Sequence, residues 1–125
     1  MLPSILVVDD EHHFLTLMDF AFSKRGYHVT TARDGVEALQ HVDSKTFAAA
    51  VLDIKMHPVG GIEVLAEIKK RHPATPVIMI TGYPTDETRN ECIKLGAGAY
   101  MTKPVDLSEL DAVLNHLVSA PRIAE

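Results

Sequence analysis

Two acidic side chains follow an apolar run near the start of the chain. The stretch ILVVDDE, residues 5–11, places Asp9 and Asp10 directly after four aliphatic residues. Two like charges about 4 Å apart at an effective dielectric of about 20 repel each other by roughly 4 kcal/mol. A fold that keeps such acids together needs a compensating charge, so the other groups that reach this point decide its chemistry.

Apolar runs of strand length alternate with stretches of helical spacing along the chain. The first, third and fourth runs are continuous and rich in valine and isoleucine, which is typical of parallel strands covered by helices on both faces. The predicted strands are residues 5–8, 28–32, 48–54, 76–80 and 99–101. We expect five strands and five helices in an open α/β sheet.

Several residues mark the ends of the predicted helices. Gly26 and Gly96 are placed to close the first and fourth helices in a left-handed conformation. Asp34 and Asp106 each precede a glutamate by three residues, which is the spacing of a capping box. The apolar residues of the last two helices are predicted to be core, although no periodicity separates buried from exposed members: Ile93, Leu95, Leu107, Leu110, Val113, Leu114 and Leu117.

Polar residues end or follow four of the five predicted strands. In an open parallel sheet, ligands bind beyond the carboxyl ends of the strands, where the strand order reverses. We therefore expect side chains from distant parts of the sequence to meet at one edge of the sheet. They are Asp9, Asp10, Asp53, Thr81 and Lys103.

Three converging carboxylates favour a divalent cation. Mg²⁺ or Mn²⁺ prefers hard oxygen ligands and keeps positions for water and phosphate oxygens. Thr81 offers a hydroxyl and Lys103 a compact positive charge, which are the groups that a phosphoryl group held on an aspartate requires. The alternative is that these residues are helix caps and solvated loop acids, and for any one of them alone that interpretation would be preferred.

Length and composition set further limits. A chain of 125 residues with 46% hydrophobic residues forms one domain with a proper core. Its formal charge of −5 gives no basic field for nucleic acid, so we expect no direct nucleic-acid binding. Cys92 is the only cysteine, which indicates a reducing compartment, and the apolar run that ends at Asp9 is too short to span a membrane. We expect a cytoplasmic protein without membrane contact.

The chain resembles the receiver domain of response regulators in two-component signalling, the CheY-like superfamily, over essentially its whole length. The resemblance implies a doubly wound, flavodoxin-like (βα)₅ fold with a five-stranded parallel sheet of order 2-1-3-4-5. We expect residues 1–119 to form this domain and residues 120–125 to be a C-terminal tail or the start of a linker. The motifs occur in the order and spacing of the family: VVDDE at 7–11, VLDIKM at 51–56, Gly61, MITG at 79–82 and GAGAYMTKP at 96–104.

The resemblance also implies roles for the acidic residues. Asp53 would be the phosphoacceptor and would receive a phosphoryl group from the phosphohistidine of a histidine kinase. Asp10 and Asp53 would bind Mg²⁺ directly, together with the backbone carbonyl of Lys55. Asp9 would hold the ion mainly through water.

The same resemblance implies how a phosphoryl group is held and sensed. Thr81 and Lys103 would hold its oxygens, and the peptide bond between Lys103 and Pro104 is expected to be cis. On phosphorylation the Thr81 hydroxyl would move toward the phosphoryl group and Tyr100 would turn inward. The surface of the fourth helix, fifth strand and fifth helix would then change its affinity for a partner. Taken alone, Tyr100 would be a half-buried strand aromatic.

Two positions bear on how long the phosphoryl group persists. Lys55 lies two residues beyond Asp53, and Tyr83 lies two residues beyond Thr81. In the family these positions flank the path of the attacking water, so a long cation and a ring are expected to slow hydrolysis. The alternative is that both side chains simply point to solvent.

One loop departs from the family pattern. His57 occupies the place where the family usually has proline, and Pro58 follows it. Gly61 keeps its place, so we predict a locally altered turn with an intact metal site. Val59 and Gly60 also differ from common family residues, through partner-specific contacts or through drift.

The predicted function is a signalling switch that takes part in its own phosphorylation and hydrolysis, and not a turnover enzyme. Its expected partners are a histidine kinase or phosphotransfer protein and a downstream effector or attached output domain, and a homodimer could form on phosphorylation. One alternative is a Mg²⁺-dependent phosphohydrolase, for which the chain has no segment to build a substrate cap. Another is an unphosphorylated receiver-like interaction module, against which the complete set of acids, hydroxyl and lysine argues.

Overall fold

The protein forms a five-stranded parallel sheet with helices on both faces. The structure is a computed structural model that describes the backbone of residues 2–123 and side chains through residue 118. The sheet order is β2-β1-β3-β4-β5, which confirms the predicted doubly wound fold. The elements are β1 (Ser4–Val8), α1 (His12–Lys24), β2 (His28–Ala32), α2 (Gly35–Ser44), β3 (Ala49–Asp53), α3 (Gly61–Arg71), β4 (Val77–Thr81), α4 (Asp86–Lys94), β5 (Ala99–Thr102) and α5 (Leu107–Ile123).

The core consists of two layers, one on each face of the sheet. Successive strand residues point to opposite faces, so Ile5 and Val7 of β1 pack with α1 and α5. Leu6 and Val8 pack on the other face with residues of α2, α3 and α4. Because helices cover both faces, β1, β3 and β4 need apolar residues at every central position, which explains their continuous apolar sequences.

The helix ends follow the local signals in the sequence. Gly26 and Gly96 adopt positive φ angles of 93° and 98° after α1 and α4. The Asp34 carboxylate accepts a hydrogen bond from the Glu37 backbone N–H at 2.8 Å. The Glu37 side chain accepts from the Arg33 N–H instead of the Asp34 N–H, so the predicted box closes one residue earlier.

The structure differs from the sequence-based expectation at a few positions. Thr81 is the last residue of β4 and does not follow it, because its partner Thr102 extends the pairing of β4 with β5. Ile93 was predicted to be core but is 56% exposed, since α4 buries Cys92 and turns its neighbour outward. The helix α5 continues to Ile123; the last two residues of the predicted tail lie outside the described residues.

Candidate functional site

The functional side chains lie where the strands end. Asp53 is the last residue of β3, and Asp9 follows β1, where its backbone N–H donates to the Ala32 carbonyl at 3.1 Å. The Lys103 backbone N–H donates to the Thr81 carbonyl at 2.8 Å and thereby extends the pairing of β4 and β5 by one bond. The hydrogen bonding of the sheet therefore fixes the backbone positions of these four residues.

Asp9, Asp10 and Asp53 form an acidic cluster. One carboxylate oxygen from each lies within 4.8 Å of the others. Asp9 is 0% exposed and Asp53 is 6% exposed, whereas Asp10 faces solvent. The cluster is thus two buried acids with one exposed acid at its opening.

Lys103 supplies positive charge to this cluster. Its Nζ lies 2.7 Å from Asp9 Oδ2, 3.9 Å from Asp53 Oδ2 and 3.7 Å from Glu11 Oε1. The other Asp9 oxygen accepts the Glu11 backbone N–H at 2.8 Å. Both oxygens of Asp9 therefore have partners, and Lys103 binds Asp9 more closely than Asp53.

Burial and like charge set the proton affinities of the pocket. Burial, and then the charge of Asp9, raise the pKa of Asp53 to about 6, against the opposing effect of Lys103. Burial also raises the pKa of Asp9, although the hydrogen bond from Lys103 acts against it. Burial lowers the pKa of Lys103, but its hydrogen bond with Asp9 and the charges of Asp9, Asp53 and Glu11 together outweigh that effect and leave the pKa raised. One lysine does not fully compensate the crowded acids.

The donor set of the cluster fits a hard divalent cation. All three side chains offer carboxylate oxygens, and neither sulfur nor nitrogen ligands accompany them in the cluster. The excess negative charge left by Lys103 is the second feature that a cation would relieve. The exposed Asp10 leaves a route from solvent to this position.

Thr81 ends β4, and the two side chains predicted to slow hydrolysis lie on the loops that follow β3 and β4. Thr81 is buried, and its Oγ1 accepts the Tyr83 backbone N–H at 3.0 Å. Tyr83 is 70% exposed, and the Lys55 Nζ lies 4.8 Å from the centroid of its ring. Lys55 and Tyr83 therefore do reach solvent, but they also contact each other across the loops that follow β3 and β4.

Tyr100 lies away from the acids, in a corner between β5 and α4. Its hydroxyl forms a 2.8 Å hydrogen bond with Thr88 Oγ1, which in turn lies 2.9 Å from the hydroxyl of Thr85. Thr85 is the N-cap of α4 and accepts the Thr88 backbone N–H. The Arg89 guanidinium lies 5.9 Å from the Tyr100 ring centroid, at a surface cavity of about 350 Å³. The half-buried ring is thus tied to the first turn of α4.

The loop after β3 contains a cis proline. The His57–Pro58 peptide bond is cis, which the sequence analysis did not predict, and the Lys103–Pro104 bond is also cis. Val59 packs against the core, and its backbone lies against Gly35, where a Cβ would come within 2.5 Å of the Val59 carbonyl oxygen. A contact with the protein's own core therefore accounts for at least one of the unusual residues of this loop.

Gly61 fixes the far end of the same loop. A Cβ at Gly61 would lie 2.0 Å from the Asp53 carbonyl oxygen, a distance that no side chain tolerates. The Gly61 backbone N–H donates to the Ile54 carbonyl at 2.9 Å. The first residue of α3 is consequently held against the end of β3, next to Asp53.

Sequence reasoning missed three residues that contact the site. Glu11 lies near Lys103, and its position directly after Asp9 and Asp10 in the sequence could have indicated that it adds to the acidic cluster. The Phe14 ring centroid lies 4.9 Å from the Lys103 Nζ, a contact that no pattern in the sequence indicated. Thr88 lies three residues after the N-cap Thr85, but nothing in the sequence indicated that it contacts Tyr100.

Within residues 2–123, no helix combines the length and the apolar character that crossing a bilayer demands.

Comparison with known proteins identifies the family. Residues 5–115 match the response regulator receiver domain. The chain is 37% identical over 121 residues to the transcriptional regulatory protein ZraR of Klebsiella oxytoca, covering 97% of this chain and 27% of that protein. The chain therefore spans about a quarter of the length of this relative.

Solved structures agree with this match. A receiver domain protein from Clostridium thermocellum superposes with a TM-score of 0.92 at 30% identity, covering 99% of this chain and 100% of the other. A Burkholderia pseudomallei response regulator with a phosphorylated aspartic acid, calcium ion and citrate gives a TM-score of 0.86 at 25% identity, covering 98% and 72%. The chain belongs to the response regulator receiver domain family. It is a signalling switch of two-component systems.

Proposed function

We propose that Asp53 is the residue that accepts the phosphoryl group, from a phosphohistidine of a histidine kinase or phosphotransfer protein. A carboxylate oxygen of Asp53 attacks the phosphorus, and the new P–O bond forms as the P–N bond breaks. The imidazole leaves with the electron pair of that bond and takes a proton from solvent. Asp53 suits this step because it ends β3 beside Lys103 and near the opening marked by Asp10.

Lys103 and Thr81 hold the transferred group. Lys103 starts in its ion pair with Asp9, only 3.9 Å from Asp53, so a small displacement brings its ammonium to a phosphoryl oxygen on Asp53. Thr81 contributes a hydroxyl whose present partner is the Tyr83 N–H. Recruitment of that hydroxyl by the phosphoryl group changes the loop between β4 and α4.

A divalent cation completes the proposed site. Asp10 and Asp53 would bind Mg²⁺, or Mn²⁺, directly with the backbone carbonyl of Lys55, and Asp9 would bind it through water. When bound, the ion neutralises the carboxylates and the charge of the phosphoryl oxygens. The acidic cluster and its incomplete compensation by Lys103 support this assignment.

Loss of the phosphoryl group returns the switch to its starting state. A water oxygen attacks the phosphorus, the bond to Asp53 breaks, and inorganic phosphate leaves with the carboxylate restored. The chain thereby takes part in its own dephosphorylation without acting on a separate substrate. The contact between Lys55 and Tyr83 joins the loops that follow β3 and β4, where it would obstruct this water and slow the reaction.

The output is proposed to pass through the surface of α4, β5 and α5. Tyr100 belongs to this surface and contacts the first turn of α4 through Thr88. A partner protein, an attached output domain or a second copy of the chain would read the change in the cytoplasm. ZraR is named as a transcriptional regulatory protein, which supports an output that controls transcription through another domain.

One observation carries the proposal: carboxylates at the ends of β1 and β3 share a pocket with Lys103, which follows β5. Incubation with acetyl phosphate and Mg²⁺, followed by intact mass measurement, tests it. We expect a stable gain of one phosphoryl group that disappears in Asp53→Ala and with a chelator. Asp86→Ala, which removes an exposed acid of α4, serves as the matched control and keeps the gain.

The same measurement separates the alternatives. Multiple turnovers of acetyl phosphate with little adduct would identify a phosphohydrolase. An unchanged mass of the wild type under all conditions would identify an interaction module without phosphochemistry. A gain that survives in Asp53→Ala would place the acceptor elsewhere.

A further inference from the structure

Lys103 has an aromatic neighbour in addition to its acidic partners. Its Nζ lies 4.9 Å from the Phe14 ring centroid, which is within the range of a cation–π contact. The three carboxylates near the same ammonium lie at 2.7 to 3.9 Å. The ammonium therefore has two types of neighbour, which are charged carboxylates and an uncharged aromatic ring.

Phe14 is well placed to act as a fixed support. It lies in the first turn of α1, three residues after Glu11, whose backbone carbonyl accepts the Phe14 N–H at 3.1 Å. Its side chain is half-buried and packs against the core layer of α1 and α5. The ring is consequently attached to the same segment that carries Asp9 and Asp10, and its packing against the core fixes where it lies.

The Phe14 ring can keep the Lys103 ammonium in place when its ionic partner changes. A lysine has a flexible stem, and a phosphoryl group on Asp53 must draw its ammonium away from Asp9, which holds it at 2.7 Å. An aromatic face attracts the ammonium without competing for the charge that the phosphoryl group offers. Phe14 can therefore retain the ammonium near Asp53 while its ionic partner changes.

We propose that Phe14 is a positioning residue for phosphoryl transfer, whose ring orients the Lys103 ammonium toward the phosphoryl group on Asp53. This inference rests on the proposed function of Asp53 and Lys103. Phe14 touches no reacting atom and acts only through Lys103. Its effect is therefore expected in the rate of phosphorylation and not in the binding of the cation.

Substitutions at position 14 separate this role from simple packing. Phe14→Leu keeps an apolar side chain in the core and removes the aromatic face, whereas Phe14→Tyr keeps the face. Phe20→Leu is the matched control, because Phe20 is an exposed residue of α1 whose ring lies 4.5 Å from the Lys24 Nζ. That variant loses a cation–π contact of the same kind outside the pocket.

The experiment measures the rate of phosphorylation by acetyl phosphate with saturating Mg²⁺, using intact mass. We expect Phe14→Leu to slow phosphorylation by about threefold to tenfold, the range of a partly desolvated cation–π contact. Phe14→Tyr restores the rate, and Phe20→Leu does not change it. In a Lys103→Met background, Phe14→Leu has no additional effect.

Two results would overturn the inference. One is a wild-type rate in Phe14→Leu, and the other is an equal loss from Phe14→Leu with and without Lys103. A measurement on the unphosphorylated protein keeps the test independent of the acceptor. In NMR spectra, the ring current of Phe14 shifts the Lys103 side-chain methylene protons next to Nζ, and Phe14→Leu removes this shift while Phe14→Tyr keeps it. If the wild type took up no phosphoryl group but the shift were present, the proposed function would fail and the contact would stand.

Discussion

The acid pocket and the corner between α4 and β5 are held by different forces. In the pocket, Asp9 and Asp53 are buried charges whose mutual repulsion one lysine compensates only in part. In the corner, the half-buried Tyr100 is held by neutral hydrogen bonds through Thr88 to the N-cap Thr85. A charge added to the pocket therefore changes the electrostatic energy of its few ionised side chains strongly. In the corner, the loss of a single hydrogen bond is enough to alter the packing of Tyr100. This difference suits a domain that receives a charged group at one place and reports it at another.

The first way to test this contrast is to change the charge of the pocket with pH. The pKa of Asp53 is raised to about 6 from 3.8, so the folded protein keeps a proton that the unfolded chain has already lost. Without a cation, stability is therefore highest below about pH 4 as far as Asp53 is concerned, and it falls as pH rises through about 6. The raised pKa of Asp9 acts in the same direction. The rise in the pKa of Asp53 from 3.8 to about 6 corresponds to at most about 3 kcal/mol of stability.

Urea unfolding with and without Mg²⁺ measures this effect. We expect Mg²⁺ to stabilise the protein strongly at about pH 7.5 and only weakly at about pH 5, where Asp53 is protonated in the absence of the ion. Asp53→Asn should remove most of the pH dependence that the metal-free protein shows between these values. Stability of the metal-free wild type that rises with pH across the window would contradict the electrostatic description of the pocket.

A second test concerns the contact between Lys55 and Tyr83 in the loops that follow β3 and β4. The double substitution Lys55→Asn/Tyr83→Ala removes the contact between the two loops and opens the path of the attacking water. We expect hydrolysis of the phosphoryl group to become about tenfold faster, or about 1.4 kcal/mol lower in barrier. Decay of the phosphorylated mass after removal of acetyl phosphate gives the rate. Lys45→Asn, which loses a similar contact with Phe47, is the control, and equal decay in the double variant and the wild type would argue against this role.

The smallest expected effect is a change in the orientation of Tyr100, in the corner between α4 and β5. Thr88→Val removes the hydroxyl that bonds Tyr100 and keeps the shape of the side chain, while the backbone N–H of residue 88 still reaches Thr85. The loss of one hydrogen bond is worth about 1 kcal/mol, so the ring should shift toward its inward position by about fivefold in population. Thr88→Ser restores the hydroxyl and serves as the control.

Fluorine NMR of the protein labelled with fluorotyrosine reports on the ring, and Tyr100→Phe assigns its signal. The signal should move in Thr88→Val and stay in Thr88→Ser. Mg²⁺ affinity should remain that of the wild type in both, because the corner does not touch the acids. A similar change in both variants would show that the hydroxyl does not hold Tyr100.

The gathering of acids could be predicted from sequence because it follows from topology. Residues that end parallel strands of one sheet share an edge, so Asp9, Asp53 and Lys103 had to lie near one another once the strands were recognised. The assignment of strands was itself secure, since β1, β3 and β4 are covered on both faces and have continuous apolar sequences.

Side-chain pairings could not be predicted in this way. The preference of Lys103 for Asp9 over Asp53 depends on differences of about an ångström between distant segments. The contact of Tyr100 with Thr88 depends on how α4 lies against β5, which no local pattern specifies. The exposure of Ile93 has the same origin, because α4 buries a single side chain, Cys92, and its apolar residues do not form a stripe.

The contact of Gly61 with the end of β3 has a consequence for how this domain can change. A larger residue there would push α3 away from Asp53, so position 61 cannot vary without moving the acceptor. Between these two anchors, His57 and Pro58 are exposed, whereas Val59 packs against the core. New recognition properties can therefore be engineered at these two exposed positions, by substitution at constant length, while the chemistry beside them stays unchanged.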